Sequence, residues 1–239
     1  MNIALIPARA GSKRIPSKNI AILNGEPLIG HTIRSALKSN VFSEVIVSTD
    51  SQEIGAIAKA YGAKVPLLRP TKFATDSSSD IEWVQHAMST MVESPLESIE
   101  TVAILRPTSP LRSSNSILNA LGLLKATKWA DSVRAMEVTH KHPGKMWVLD
   151  KDNKAQPYLD QIVGSIPTYN RPTQTLQKLW IQNASLEIVK LKALVETNSI
   201  SGNAVLGFEM PGFEGFDLNN MQDLEYLEYL ILKYPELLK

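Results

Sequence analysis

Asn2-Ile3-Ala4-Leu5-Ile6-Pro7-Ala8-Arg9-Ala10-Gly11-Ser12-Lys13-Arg14-Ile15-Pro16-Ser17-Lys18-Asn19 decides the fold. Its opening residues, 2 to 6, form a short apolar run, the pattern of a strand buried on both faces. A loop of Gly, Ser, Lys, Arg and Pro follows. Pro27 can then open a helix at its first turn, and Leu28, Ile29, Ile33, Ala36 and Leu37 recur at helical spacing. Strand, polar loop and amphipathic helix make one βα unit.

The unit repeats along the first half of the chain. Residues 44–48 are short and β-branched, a strand, and 52–61 are helical with Gly62 as a stop. Residues 64–68 read as a further strand. A helix over 80–93 places Ile81, Val84, Ala87, Met88 and Met91 on one face. Residues 101–105 form a buried strand, 113–126 a helix and 131–138 another strand. This order predicts an α/β fold of three layers, a mostly parallel sheet with helices on both faces. Helical periodicity lapses over 139–179, which hold Pro143, Pro157, Pro167 and Pro172. That segment reads as an insertion of hairpins and loops, an arm suited to meeting another subunit. Strands return at 180–190 and 203–209. The last helix, 220–233, is amphipathic, with Leu224, Leu227, Leu230 and Ile231 interleaved with Asp223, Glu225 and Glu228. The reading is a single domain over 1–239 with its arm at about 139–179.

Composition narrows the function. The 239 residues carry 25 Lys and Arg against 24 Asp and Glu, a net charge of +1, which argues against a nucleic-acid partner. The absence of cysteine excludes disulfides, thiolate metal sites and thiol catalysis. No apolar stretch approaches the roughly 18 residues of a membrane span. The apolar start is too short for a signal peptide, so the expectation is a cytoplasmic protein without membrane partners.

Three segments carry candidate chemistry. The loop over 8–19 holds Arg9, Lys13, Arg14 and Lys18 and no acid. It follows the first strand and so belongs at the carboxyl edge of the sheet, where open α/β folds bind ligands. Gly11 lets backbone N–H groups approach a phosphate. The alternative is a solvated basic loop; the spacing is neither a Walker loop nor a dinucleotide fingerprint. In the second segment, Arg106-Pro107-Thr108-Ser109-Pro110-Leu111-Arg112, two prolines stiffen the turn. It presents side chains to a ligand, or it is a rigid connection to a helix capped by Ser113 or Ser114. The third is Glu214-Gly215-Phe216-Asp217-Leu218-Asn219. In a strand-like stretch Asp217 and Asn219 face one side and suit Mg²⁺; alternatively Asn219 or Asn220 caps the last helix. His140 and His142 lack nearby carboxylates in the sequence, and Trp83, Trp129, Trp147 and Trp180 read as packing residues.

Together these segments resemble the acylneuraminate cytidylyltransferase family, the CMP-sialic acid synthetases and their bacterial relatives. The matching pieces are Ile6 to Pro16 with Lys18-Asn19-Ile20, Val47-Ser48-Thr49-Asp50, Leu68-Arg69-Pro70, Ala74-Thr75-Asp76, Arg106 through Arg112, and Gly215-Phe216-Asp217. They run in family order over nearly the whole chain. The resemblance implies a nucleotide-diphospho-sugar transferase-like fold. It further implies Mg²⁺-dependent transfer of CMP from CTP to an acidic 2-keto-3-deoxy sugar, with release of pyrophosphate. On that analogy Arg9, Lys13 and Lys18 are catalytic. Ala8, Gly11, Ser12, Arg14, Asn19, Arg69, Ser79, Asp80 and Arg106 would bind the nucleotide. Thr108, Ser109, Arg112, Arg171, Gln182 and Asn183 would bind the sugar, and Asp217 and Asn219 the metal. The 139–179 arm corresponds to a dimerisation region, implying a homodimer. Several residues depart from the family pattern: Ala10 for Gly, Arg106 for Gln, Asp80 for Ser, Asn219 for Asp and Ala184 for Gly. Ile181 and Thr173 stand in place of arginines. The changes gather on the sugar side and point to a nine-carbon acid such as legionaminic or pseudaminic acid as much as to sialic acid. Two other functions stay open: a nucleotidyltransferase for another base or sugar, and an inactive sugar-nucleotide-binding protein.

Overall fold

In β1 (Asn2–Pro7), Ile3 and Leu5 point to one face of the sheet and Ala4 and Ile6 to the other. This computed structural model describes residues 1–159, 162–163 and 166–238. Both faces of β1 are covered, so all four side chains are fully buried. The remaining strands of the sheet are β2 (Glu44–Ser48), β3 (Thr101–Ile104), β4 (Ser132–Val138), β5 (Trp180–Lys190) and β6 (Val205–Glu209). Their order is β6-β4-β5-β3-β1-β2. β1 pairs in parallel with β2 and β3, and β5 pairs antiparallel with β3.

The helices divide by face. α1 (Leu28–Lys38), α2 (Gln52–Ala60) and α4 (Ser114–Ala126) contribute Ile29, Ile33, Ile54, Ile117 and Leu121 to the cluster that includes Ala4 and Ile6. α3 (Asp80–Thr90) and α5 (Leu191–Thr197) cover Ile3 and Leu5 with Trp83, Val84, Ala87, Met88 and Leu194. Burying one such aliphatic side chain is worth about 1.5–3 kcal/mol. The result is the expected three-layer α/β architecture.

A third cluster lies apart from these two. Ile15, Leu23, Leu28, Leu111 and Leu218 pack with Leu227 and Ile231 of α6 (Met221–Lys233). This cluster anchors the 8–19 loop and the stretch around Asp217 to one helix.

Four elements differ from the sequence reading. Residues 64–68 make only one bridge, Lys64 to Ile46, because Pro66 lacks the N–H that would continue the ladder. α3 ends at Thr90 rather than at 93. Pro27 is the extended N-cap of α1, not its first helical residue. It also pairs with Ile22 in a small hairpin whose turn, Asn24-Gly25, has positive φ at both residues (50° and 81°), the geometry that matches strand twist. The stretch over 211–219 is turn and coil, not strand. Ser113 caps α4, accepting from Ser116 N at 3.1 Å, and Asn220 caps α6, accepting from Asp223 N at 2.9 Å.

Residues 1–135 and 183–239 form one compact unit, and 136–182 form a second. The second unit holds two antiparallel hairpins, Trp147–Leu149 with Ala155–Pro157 and Ile162–Val163 with Ile166–Pro167. Trp147 packs on Tyr169 at 4.7 Å between ring centroids, yet Trp147, Val148 and Leu149 are all exposed. No described helix is long and apolar enough to cross a membrane.

Buried His31 of α1 bonds Leu23 O through Nε2 at 3.0 Å, and burial pushes its pKa below the ordinary value near 6.5. The unfolded chain therefore takes up a proton first as pH falls. Stability should be full above pH ~6.5 and decline as pH drops from there toward the native pKa. His31→Gln should flatten this part of the profile in urea melts run between pH 7.5 and 5; an unchanged slope would show that His31 does not carry it.

Candidate active site

The loops that follow β1 and β3, with the segment that joins α2 to α3 and the start of α3, enclose a cleft of about 550 Å³. Arg9, Lys13, Arg14, Lys18, Arg69 and Arg106 line it, opposed by Asp76 and Asp80. Six cations against two carboxylates leave an excess of four positive charges. A nucleoside triphosphate, with about four negative charges, matches such a field.

Backbone anchors hold the cationic loop. Ala8 N donates to Ser48 O at 3.0 Å, and Ala10 N to Asp50 Oδ1 at 2.8 Å. Asn19, nearly buried, donates through Nδ2 to Arg9 O at 2.9 Å. Ser17 adopts the left-handed conformation (φ 50°) just before the short turn that carries Lys18. Lys18 Nζ donates to Leu218 O at 3.1 Å. Burial lowers the Lys18 pKa, opposed by the nearby Asp217 carboxylate, with Arg14 and Arg9 lowering it further.

The opposite wall is built on Arg69. Its Nε donates to Ser48 Oγ at 3.0 Å and its Nη1 to Phe73 O at 3.3 Å; Nη2 reaches Ser48 O. Its guanidinium lies 5.1 Å from the ring centroid of Trp83. Burial brings its pKa down to about 10. Arg69 thus ties the 69–73 segment to the end of β2 while Phe73 and Trp83 give the cleft an aromatic flank.

Arg106 and Asp80, two of the departures from the family pattern, are partners. Arg106 Nη2 pairs with Asp80 Oδ2 at 2.6 Å, and its Nη1 with Glu187 Oε1 at 2.6 Å. Glu187 also pairs with Arg134 at 2.7 Å. Asp80 Oδ1 accepts from Trp83 Nε1 at 2.9 Å. Desolvation lowers the Arg106 pKa, but Glu187 and Asp80 outweigh it, so the net shift is upward. A charged pair thus stands at the cleft wall.

The expected site residues sort as follows. Arg9, Ser12, Lys13, Arg14, Lys18, Asn19, Arg69, Asp80, Arg106 and Thr108 all line the cleft. Ala8 is buried beneath it, and neither Gly11 nor Ser79 is among the lining residues. Gly11 has open space where a Cβ would stand. Ser79 instead donates its backbone N–H to Glu82 at the start of α3, at 2.8 Å. Ser109 and Arg112 are buried, at 0% and 2% exposure, and are not among the residues that line the cleft. Arg112 Nη1 turns inward to Ser185 O and, at 3.4 Å, Arg106 O, bracing the second loop from below. Burial takes the Arg112 pKa down to about 9. Asn183 is half-buried and accepts from Ser185 N at 3.2 Å. Arg171 and Gln182 belong to the 136–182 unit.

Asp217 and Asn219 face each other without a strand, Asn219 Nδ2 donating to Asp217 Oδ2 at 3.0 Å. Asp217 Oδ1 is buried and has no hydrogen-bond partner. No cluster of three or more His, Cys, Asp or Glu suited to a metal occurs among the described residues. An orphaned carboxylate oxygen fits a hard cation that takes few protein ligands.

Asp50, Asp76, Glu187, Phe73 and the cleft-lining role of Trp83 escape the sequence reading. Trp129, Trp147 and Trp180 are exposed, Trp147 against Tyr169 and Trp180 with Lys178 Nζ 4.6 Å from its ring centroid. Glu187 left a visible signal: it is the one charge in the apolar run Leu186-Glu187-Ile188-Val189, and a buried charge needs a partner. Asp76 fell within a quoted motif, Ala74-Thr75-Asp76, but nothing in the sequence assigned it a partner.

Comparison with known proteins places this geometry. The sequence profile of a family described as "Cytidylyltransferase" matches residues 3–184. An N-acylneuraminate cytidylyltransferase of Escherichia coli O18:K1:H7 is 34% identical over 93% of this chain and 50% of its own length. The chain therefore spans about half of that relative. A CMP-N,N'-diacetyllegionaminic acid synthase of Legionella pneumophila is 36% identical over 82% of this chain and 81% of its own. A pseudaminic acid cytidylyltransferase of Campylobacter jejuni is 30% identical, covering 96% and 95%. Among solved structures, a CMP:2-keto-3-deoxy-manno-octonic acid synthetase complexed with CTP superimposes with TM-score 0.69 at 17% identity, covering 97% of this chain and 98% of that one. A 4-diphosphocytidyl-2C-methyl-D-erythritol synthase from Anaerococcus prevotii gives TM-score 0.65 at 11%, with 97% and 98% covered. These two share the fold.

The Arg106–Asp80 pairing predicts energetic coupling. In denaturant melts, Asp80→Ser and Arg106→Gln should be non-additive by about 0.5–3 kcal/mol, the double variant losing less than the sum. Additive losses would mean the pair contributes nothing beyond its separate members.

Proposed function

The chain belongs to the cytidylyltransferase family, and from that premise we propose that it transfers CMP from CTP to an acidic nonulosonate sugar and releases pyrophosphate. The observation that carries this is the convergence of Arg9, Lys13, Arg14 and Lys18 with Arg69 and Arg106 in one cleft. The reacting bonds follow from the chemistry. The sugar's anomeric oxygen bonds to the α-phosphorus, the bond from that phosphorus to the bridging oxygen breaks, and the hydroxyl proton passes to solvent. No covalent enzyme intermediate is required.

The chain's residues contribute position and charge. Arg9 and Lys13 bind the outer phosphates, whose negative charge grows as pyrophosphate leaves. Lys18, partly desolvated and held on Leu218 O, lies at the α-phosphate end beside Asp217. Asn19 sets the loop's register through Arg9 O. Phe73 and Trp83 flank the base. Asp217, with Asn219 beside it, would hold Mg²⁺ through its unpartnered oxygen, triphosphate oxygens and water completing the shell. Such an ion would neutralise phosphate charge as a Lewis acid. Thr108 stands where a sugar would meet the cleft.

The legionaminic and pseudaminic relatives, each covered over most of its length, favour an acceptor of that nine-carbon class over sialic acid alone. The 136–182 unit serves as a dimerisation arm, since its first hairpin exposes Trp147, Val148 and Leu149. The protein acts in the cytoplasm as a homodimer, and a monomer mass in sedimentation equilibrium would remove that part of the reading.

Pyrophosphate release with CTP and Mg²⁺ should occur with one of legionaminic, pseudaminic or sialic acid and fall when UTP, GTP or ATP replaces CTP. Release with none of the acids, while CTP still binds, would favour a sugar-nucleotide-binding protein. In the same assay Arg9→Ala or Lys13→Ala should cut turnover by ~10²-fold or more, as for loss of one transition-state donor. Asp217→Ala should abolish Mg²⁺-dependent turnover; an unchanged metal titration would exclude it as a ligand.

A further inference from the structure

The cationic cleft holds a carboxylate of its own. Asp76 Oδ1 accepts from Arg9 Nη2 at 2.6 Å, and its Oδ2 pairs with Lys13 Nζ. Arg9 Nη1 also donates to Ala74 O at 3.3 Å. One side chain thus engages the two cations that face the outer phosphates.

Stability does not account for this arrangement. The Asp76 and Lys13 side chains are 46% and 82% exposed, and ion pairs between exposed groups contribute little. The surrounding segment holds its shape without them. Thr75 N donates to Ser78 Oγ at 3.1 Å, and Ser78 Oγ donates to Lys72 O at 3.0 Å. The 74–79 segment can therefore keep its fold when Arg9 and Lys13 turn to another anion. Lys13 and Arg9 together hold the Asp76 carboxyl below the ordinary carboxylate range, so it stays charged at neutral pH.

We propose that Asp76 is a positioning residue that stands in for a phosphate. It holds Arg9 and Lys13 in the nucleotide-free cleft, yields them to the outer phosphates of the triphosphate, and reclaims them as pyrophosphate departs. The proposal rests on the phosphate reading of the 8–19 loop. The physical logic is exchange of one anion for another. Two cations in a cleft repel each other, and a resident carboxylate offsets that repulsion until substrate arrives. The same carboxylate competes with the product for the same cations, which weakens product binding and favours release.

The sign of one measurement separates this role from a structural or metal-binding one. Inorganic pyrophosphate is titrated calorimetrically, without divalent cation, into the native protein, Asp76→Asn and Asp76→Ser. Removing a competitor should tighten pyrophosphate binding at least about threefold in both variants. A residue needed for loop shape would weaken binding when lost, and a metal ligand would leave metal-free binding unchanged. Either variant failing to tighten by that factor overturns the proposal. Native protein that binds pyrophosphate without such tightening leaves the phosphate reading of the loop in place. Native protein that binds none removes both.

Discussion

Four cationic side chains gathered on one twelve-residue loop repel one another, and the architecture around the cleft is arranged to hold them there nonetheless. Two unit charges about 6 Å apart at an effective dielectric of about 20 oppose each other by roughly 3 kcal/mol. Backbone and apolar anchors meet this demand more than ion pairs do. Ala8 and Ala10 fasten the start of the loop to the end of β2. Ile15 sinks into the cluster under α6 together with Leu218. Asn19 closes the loop on Arg9 O. The charged groups project from a frame whose energy comes from burial.

The same frame couples the cationic loop to the Asp217 stretch. Leu218 is buried beside Ile15, and its carbonyl receives Lys18 Nζ. Its N–H in turn donates to Thr108 O at 2.9 Å, which joins the second loop to the third. Three segments distant in sequence therefore share one rigid corner. Preorganised charge of this kind need not reorganise as a reaction proceeds, which is where most electrostatic catalysis arises.

The inner wall shows how sequence departures can compensate in space. Arg106 alone would place an uncompensated cation in a half-buried wall, and Asp80 alone would place an anion opposite a triphosphate. Paired, and braced by Glu187 and Arg134, they form an alternating row of charges in which each cation meets an acid. Breaking such a pair by removing one member costs more than removing both. The corner this pair occupies borders Trp83 and Pro107, so it shapes the cleft as well as charging it.

Local pattern settled the layers, because periodicity is a property of neighbours along the chain. The alternation of Ile3 and Leu5 against Ala4 and Ile6, and the spacing of Ile29, Ile33 and Ala36, were enough for a sheet covered on both faces. The basic loop after β1 and the stiff Arg106–Arg112 turn were legible for the same reason, and the capping roles of Ser113 and Asn220 were among the alternatives that spacing left open. Pairings between distant segments were not legible. Nothing local marks Asp76 as the partner of Arg9 and Lys13, or Asp80 as the partner of Arg106, since 67 and 26 residues separate Asp76 from Arg9 and Asp80 from Arg106. Nor could spacing reveal that Arg112 turns inward while Arg106 lines the cleft, because both lie on one short loop and only packing distinguishes its faces. Which chemistry-bearing residues exist, and which strands carry them, could be read along the chain. Which of them meet is a matter of the folded arrangement, because burial and charge pairing act across space rather than along the chain.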